Sequence, residues 1–160
     1  MRIAGFSVAR RQDRAIVACA VLDARRIVAT AVVDGDARQR IALMAAAYRK
    51  TGGDAELLMV EGSLGMLALG AELRLPCVAV AKSAPIDGEE RDAVVYLDGE
   101  PLAKKVQTKG YARALFVSAR GLDVKAAAVM VLDAVVLPHK WPEPLHHARR
   151  LAKQATASFV

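Results

Sequence analysis

The chain is short of aromatic residues, short of cysteine, and without a long hydrophobic run. Aromatic side chains make up 4% of its 160 residues, although 54% of the residues are hydrophobic and mean hydropathy is +0.25. A core must therefore be built from Ala, Val, Leu and Ile. The two cysteines, Cys19 and Cys77, both lie in apolar, strand-like stretches. They read as small buried thiols in a reduced cytosol. A zinc site would need more Cys and His at ligand spacing than the chain offers. No apolar run approaches the roughly 20 residues that cross a membrane, so no membrane partner is expected. The opening Met1-Arg2-Ile3-Ala4 leads into a strand pattern and not a signal peptide, and the expected location is cytoplasmic.

What the chain does have is room for a core and an excess of positive charge. Its length fits one domain spanning residues 1–160. The net charge of +6 and pI near 9.6 favour polyanion partners. The basic residues cluster at Arg10-Arg11-Gln12-Asp13-Arg14, at Arg25-Arg26, at Lys104-Lys105 with Lys109 and Arg113, and at Arg149-Arg150 with Lys153. For each cluster the plain alternative is a solvated loop or helix face.

Residues 2–9, 15–22 and 26–33 are three β-rich runs with short polar breaks, which predicts an antiparallel meander. Asp34-Gly35-Asp36 is a turn and helix start, with Asp36 a suitable N-cap. Residues 37–50 have helical spacing, with Ile41, Met44, Ala45 and Tyr48 on one side. Residues 55–60 form a near-continuous apolar run, as expected of a central parallel strand. A helix is predicted over 64–74, ended by Leu75-Pro76, and another buried strand over 77–81. Residues 85–91 read as a polar loop. Residues 93–97, the Asp98-Gly99 turn and 101–108 read as a hairpin or a small helical excursion. A short strand (114–118), a helix (123–136) and a terminal helix (142–157) follow. Three meander strands and then right-handed parallel crossovers make a mixed α/β sheet in the ribonuclease-H-like order, flanked by helices; another open α/β layer fold is the alternative.

Glu61 and Lys82 end two neighbouring strands, at the edge where open α/β sheets bind ligands. The surrounding residues carry a resemblance. Leu57-Leu58-Met59-Val60-Glu61-Gly62 resembles the strand ending in Asp-Gly in the endonuclease V family. Leu75-Pro76 followed by Cys77-Val78-Ala79-Val80-Ala81-Lys82-Ser83 is similar to that family's Leu-Pro pair before a strand closing in Ala-Lys-Ser. Ala4-Gly5-Phe6-Ser7-Val8-Ala9 resembles its first strand. Val32-Val33-Asp34-Gly35-Asp36 and Trp141-Pro142-Glu143-Pro144-Leu145 resemble elements of a related, mainly archaeal family. The chain also departs from the family. Ser7 stands where the metal-binding Asp is expected, and Glu61 replaces the second Asp. There is no Pro-Tyr-Ile-Pro-like wedge for reading a deaminated base. Val117-Ser118-Ala119-Arg120 carries no histidine where the family has Pro-Gly-His.

The resemblance implies a nuclease site with an acid for metal and a lysine for phosphate. Two-metal cleavage needs several converging carboxylates, and magnesium prefers oxygen ligands. The surviving candidates are Glu61, Asp34 or Asp36, and Asp123. Each has a plainer role: a strand-end ion pair for Glu61, helix capping for the aspartates. Lys82 is placed to meet a phosphate, or to pair with Glu61 in place of a lost metal. A Ser7 nucleophile lacks a partnered base. His146 and His147 are adjacent and do not share a helix face, and His139 lies in a loop; all three read as surface or capping residues. Trp141 and Tyr111 are candidates for base stacking, with a packing role the plainer reading of Trp141.

Three functions follow as expectations. The first is a nucleic-acid-binding protein with little or no catalysis, using Lys82, Lys104, Lys105, Lys109 and Arg113 on phosphates. The second is a magnesium-dependent endonuclease using Glu61, Asp34 and Asp123, with Lys82 assisting. The third is a non-enzymatic homodimer joined through the meander edge.

Overall fold

The computed structural model describes residues 1–85, 87–108 and 113–158. β1 (Arg2–Arg11), β2 (Arg14–Asp23) and β3 (Arg26–Asp36) form the expected antiparallel meander. A 3-10 turn (Ala37–Gln39) precedes α1 (Arg40–Lys50). The Asp36 carboxylate accepts from the Arg38 backbone N–H at 2.9 Å and caps that turn. Hydrogen bonds from the Arg38 side chain and backbone hold the Asp36 carboxyl down at about 2. β4 (Leu57–Glu61) returns parallel to β1, and β5 (Cys77–Ala81) runs parallel to β4.

Between β4 and β5 the single helix expected over 64–74 is divided. It is a 3-10 turn (Leu64–Leu67) followed by α2 (Ala68–Leu73), which ends at Arg74 in the left-handed region. Residues 93–106 fold as the hairpin, not the helical excursion. β7 (Val94–Leu97) and β8 (Glu100–Val106) are joined by Asp98 and Gly99, with φ of 52° and 80°. Two positive φ angles at a two-residue Asp-Gly loop match the twist of the flanking strands. The loop expected over 85–91 contains an edge strand, β6 (Glu89–Arg91), paired with β7. β9 (Leu115–Arg120) then lies antiparallel to both β8 and β5. α3 (Val124–Ala134) and α4 (Glu143–Ala157) close the chain. Among the described residues the strands make one sheet in the order β3-β2-β1-β4-β5-β9-β8-β7-β6.

Strand alternation divides the core in two. On one face Ala4, Phe6, Val17, Cys19, Leu58, Val60 and Ala79 pack against Met44, Ala45, Ala47 and Tyr48 of α1 and Leu69 of α2. On the other face Leu57, Met59, Val78, Val80, Leu115 and Val117 pack against Ala127, Ala128 and Val131 of α3, Trp141, and Leu145 of α4. The Tyr48 hydroxyl accepts from the Ala55 N–H at 2.9 Å and donates to the Ala55 carbonyl at 3.4 Å, tying α1 to the chain entering β4. Both cysteines are buried and unbridged, and burial pushes both thiols up to about 12. They stay protonated at neutral pH and behave as small core residues, as expected. No helix among the described residues is long and apolar enough to cross a membrane.

Candidate functional site

The parallel pairing of β1, β4 and β5 brings their carboxyl ends to one edge. Phe6 pairs with Val60, so Ser7 stands beside Glu61 one residue further on. Glu61 pairs with Val80, and Lys82 follows just past the end of β5. Ser7 and Glu61 are two residues on from Gly5 and Met59, so both point to the face that α4 covers. Gly5 is what allows α4 to lie there: a side chain at this position would strike Pro144.

Glu61 is not paired with Lys82. Its partner is Arg149 of α4, whose Nη1 donates to both carboxylate oxygens at 2.8 and 2.9 Å. The Arg149 guanidinium carbon also lies 5.0 Å from the centre of the Trp141 ring, and Lys82 Nζ lies 5.7 Å from it. Both cations sit within reach of the negative face of the indole. Trp141 is itself only 7% exposed, so it is a packing anchor, as the plainer reading expected, and not a platform for bases. The strand-end lysine and the strand-end acid are thus held by one tryptophan and one arginine. Among the described residues Lys82 has no carboxylate partner.

Glu61 lies at the junction of three hollows. The largest, about 730 Å³, runs between Ser7, Val8 and Ala9 of β1 and α4, where His146, Arg149, Arg150, Lys153 and Thr156 line it. The second, about 380 Å³, is lined by Glu61, Gly62, Ser63, Lys82, Ser83 and Phe116. The third, about 310 Å³, opens towards Arg10 and Arg40 on the opposite face.

The other candidate acids do not converge on Glu61. Asp34 is on β3, three strands from β4, which at about 4.8 Å per strand is roughly 14 Å away. There it is ion-paired with Arg14 at 2.8 Å. Asp123 follows β9, whose last residue, Arg120, pairs with Cys77 at the start of β5. Because β9 is antiparallel, Asp123 lies at the far edge of the sheet, roughly 13 Å along the strands. It caps α3, accepting from the Lys125 N–H at 2.6 Å.

The expected phosphate contacts are also spread out. Lys104 and Lys105 are on β8, two strands beyond β5. Lys105 is ion-paired with Glu90 at 3.6 Å, and Lys104 Nζ donates to the Asp92 carbonyl at 3.5 Å. Arg113 is exposed just before β9. Lys109 and Tyr111 lie outside the described residues.

Further residues of the site, absent from the expected catalytic and phosphate-binding sets, lie on α4 and just before it. Arg149, Arg150 and Lys153 were visible as a basic cluster, and their spacing of three and four places them together on a helix. A second group was hidden by the argument about adjacent histidines. His139 and His147 each donate to the buried carboxylate of Glu143, at 2.6 and 3.0 Å, from four residues before and four after it. The His146 ring stacks on His139, with 3.5 Å between centroids. Burial, then the neighbouring His139, lowers the pKa of His146.

The site does not fit a magnesium ion. Both oxygens of Glu61 accept from a guanidinium, position 7 offers a neutral hydroxyl, and the aspartates are elsewhere. Among the described residues no group of three or more His, Cys, Asp or Glu is arranged to hold a metal.

No protein-family model matches the chain, and no curated protein does. Solved structures do. The fold is a ribonuclease-H-like mixed α/β sheet, antiparallel through the meander and parallel through β1, β4 and β5. Within that class the chain has the endonuclease V fold. It superimposes on endonuclease V from Streptomyces avermitilis with a TM-score of 0.83 at 22% identity, over 99% of this chain and 82% of that one. It superimposes on human ENDOV with a TM-score of 0.82 at 19% identity, over 98% and 84% of the two chains. A protein of unknown function from Archaeoglobus fulgidus aligns with a TM-score of 0.63 at 14% identity, over 96% and 97%.

Proposed function

We propose that this chain is a nucleic-acid-binding protein on the endonuclease V fold, with phosphodiester cleavage reduced or absent. One observation carries the reading: the acid at the end of β4 is engaged by Arg149, and its neighbour on β1 is Ser7. The net charge of +6 and the basic lining of the groove beside that pair support a polyanion partner.

The test is fluorescence anisotropy with labelled single- and double-stranded oligonucleotides, with and without inosine, at two salt concentrations with magnesium present. Each sample is then run on a gel. Binding that weakens steeply with salt, over intact oligonucleotide, is the expected result. Affinity independent of salt would remove the binding reading. Cut product that disappears in Glu61→Ala would establish the active endonuclease instead.

The edge strand β3 favours a second reading. Ile27 and Val28 on it are 43% and 41% exposed, beside unpaired backbone groups that a second copy of the chain would satisfy. A monomer in light scattering at micromolar concentration would count against self-association.

A further inference from the structure

Arg149 links three features that are otherwise separate: the acid at the end of β4, the tryptophan before α4, and the largest groove. Its two bonds to Glu61 use only Nη1. A guanidinium has five N–H donors in a planar fork, so the others are available to a second anion. Trp141 lies beneath it and fixes the plane of the fork. A guanidinium held at two points loses little freedom when an oxyanion arrives, and phosphate matches its geometry.

The groove continues this chemistry. Three basic side chains and one carboxylate, Glu61, line it, leaving two net positive charges. Arg150 and Lys153 have no carboxylate partner among the described residues. Arg149 and Lys153 are one helical turn apart, as are Arg150 and Lys153, so the cations follow the helix at intervals of about 5–6 Å. Lys104 and Lys105, by contrast, are held by Asp92 and Glu90 two strands away.

We propose that Arg149, held by Glu61 and Trp141, is a fixed cation that binds a nucleic-acid phosphate where a metal ion would otherwise stand. Arg150 and Lys153 carry further phosphates of the same strand along α4. This rests on the nucleic-acid reading above and adds a location and a condition: the strand lies on α4, and it binds without a divalent cation. Contacts of this kind position a backbone and read no bases. The burial of Trp141 removes the one tryptophan of the chain as a stacking platform.

The experiment uses the full chain and a labelled single-stranded oligonucleotide, titrated in EDTA and again in magnesium. Two charge-reversal pairs are compared: R150E/K153E on α4 and K104E/K105E on β8. Thermal melting confirms that each variant is folded. The wild type is expected to bind as tightly in EDTA as in magnesium. R150E/K153E is expected to bind at least roughly tenfold more weakly at moderate salt, with the slope of log affinity against log salt reduced by about 1.4 for its two lost contacts. K104E/K105E should retain most of the affinity. Trp141 emission should change on titration of the wild type, because its ring touches the cation that takes the phosphate. R149Q should bind more weakly than wild type, since it removes the cation that Glu61 and Trp141 hold in place.

Wild-type binding with R150E/K153E unchanged would overturn the path along α4 and leave the nucleic-acid reading in place. A requirement for magnesium, or undiminished binding by a folded R149Q, would overturn the replacement of a metal by Arg149. No binding by wild type at low salt would overturn the nucleic-acid reading itself.

Discussion

Gly5→Val is expected to destabilise the fold by about 3 kcal/mol, at the upper end of the cost of overpacking. For a chain of this size that lowers the melting temperature by roughly 6–12 °C. A Cβ at Gly5 would lie 2.2 Å from the Pro144 carbonyl oxygen, 2.3 Å from its carbon and 2.7 Å from the Pro144 Cβ. Two of these three atoms are backbone, so no rotamer change relieves the clash. Either β1 bends or the start of α4 lifts from the sheet. The second movement would pull Leu145 and Ala148 from burial and carry Arg149 away from Glu61. Nucleic-acid affinity should therefore fall together with stability, although Gly5 itself contacts no ligand. A denaturation midpoint equal to that of wild type would show that α4 is not seated directly on β1.

Trp141→Ala is expected to cost about 3–5 kcal/mol, the usual range for removing a large buried aromatic. The indole packs with the sheet face formed by Met59, Val80 and Val117 and with α3 and Leu145. Its loss would leave a cavity between α4 and the sheet. It would also free two cations at once, because Lys82 and Arg149 both lie over the ring. Trp141→Phe keeps an aromatic face and much of the volume, and should recover most of both properties. Chemical denaturation gives the stability, and anisotropy below the melting range gives the affinity. Equal stability of the alanine variant and wild type would show that Trp141 is not an anchor. A folded alanine variant that binds nucleic acid as tightly as Trp141→Phe would show that the ring does not organise the cations.

Much of the architecture is legible in local pattern because the strands that matter are apolar on both faces. The run ending at Glu61 and the run ending at Ala81 could hardly be anything but central strands. Asp98-Gly99 is legible as a turn, and the choice of hairpin over helical excursion comes with its two positive φ angles and the pairing of β7 with β8. Where pattern is weak, reading along the chain fails for identifiable reasons. Glu89-Glu90-Arg91 has no apolar residue, and β6 exists because β7 offers it backbone partners. The 3-10 turn before α2 interrupts what periodicity presents as one helix.

The site divides in the same way. Glu61 and Lys82 could be placed at one edge because parallel crossovers bring strand ends together. Asp123 could not be placed, because the direction of β9 depends on which neighbours it joins, and the antiparallel choice sends its end to the other side of the sheet. Asp34 is close to the meander turn in sequence but three strands away in the sheet. Glu143 and its two histidines needed the chain before α4 to fold back along the helix.

The sequence by itself determined the mixed α/β layering, the buried cysteines, the excess of positive charge, and the absence of an aspartate at position 7. These are properties of composition and short-range periodicity, which the chain carries wherever it goes. Only the tertiary structure decided what Glu61 does. Its partner is 88 residues away, on a helix whose rotation is set by Gly5, Leu145 and Ala148. A carboxylate takes its chemistry from the charge it faces, and which charge that is depends on packing across the sheet.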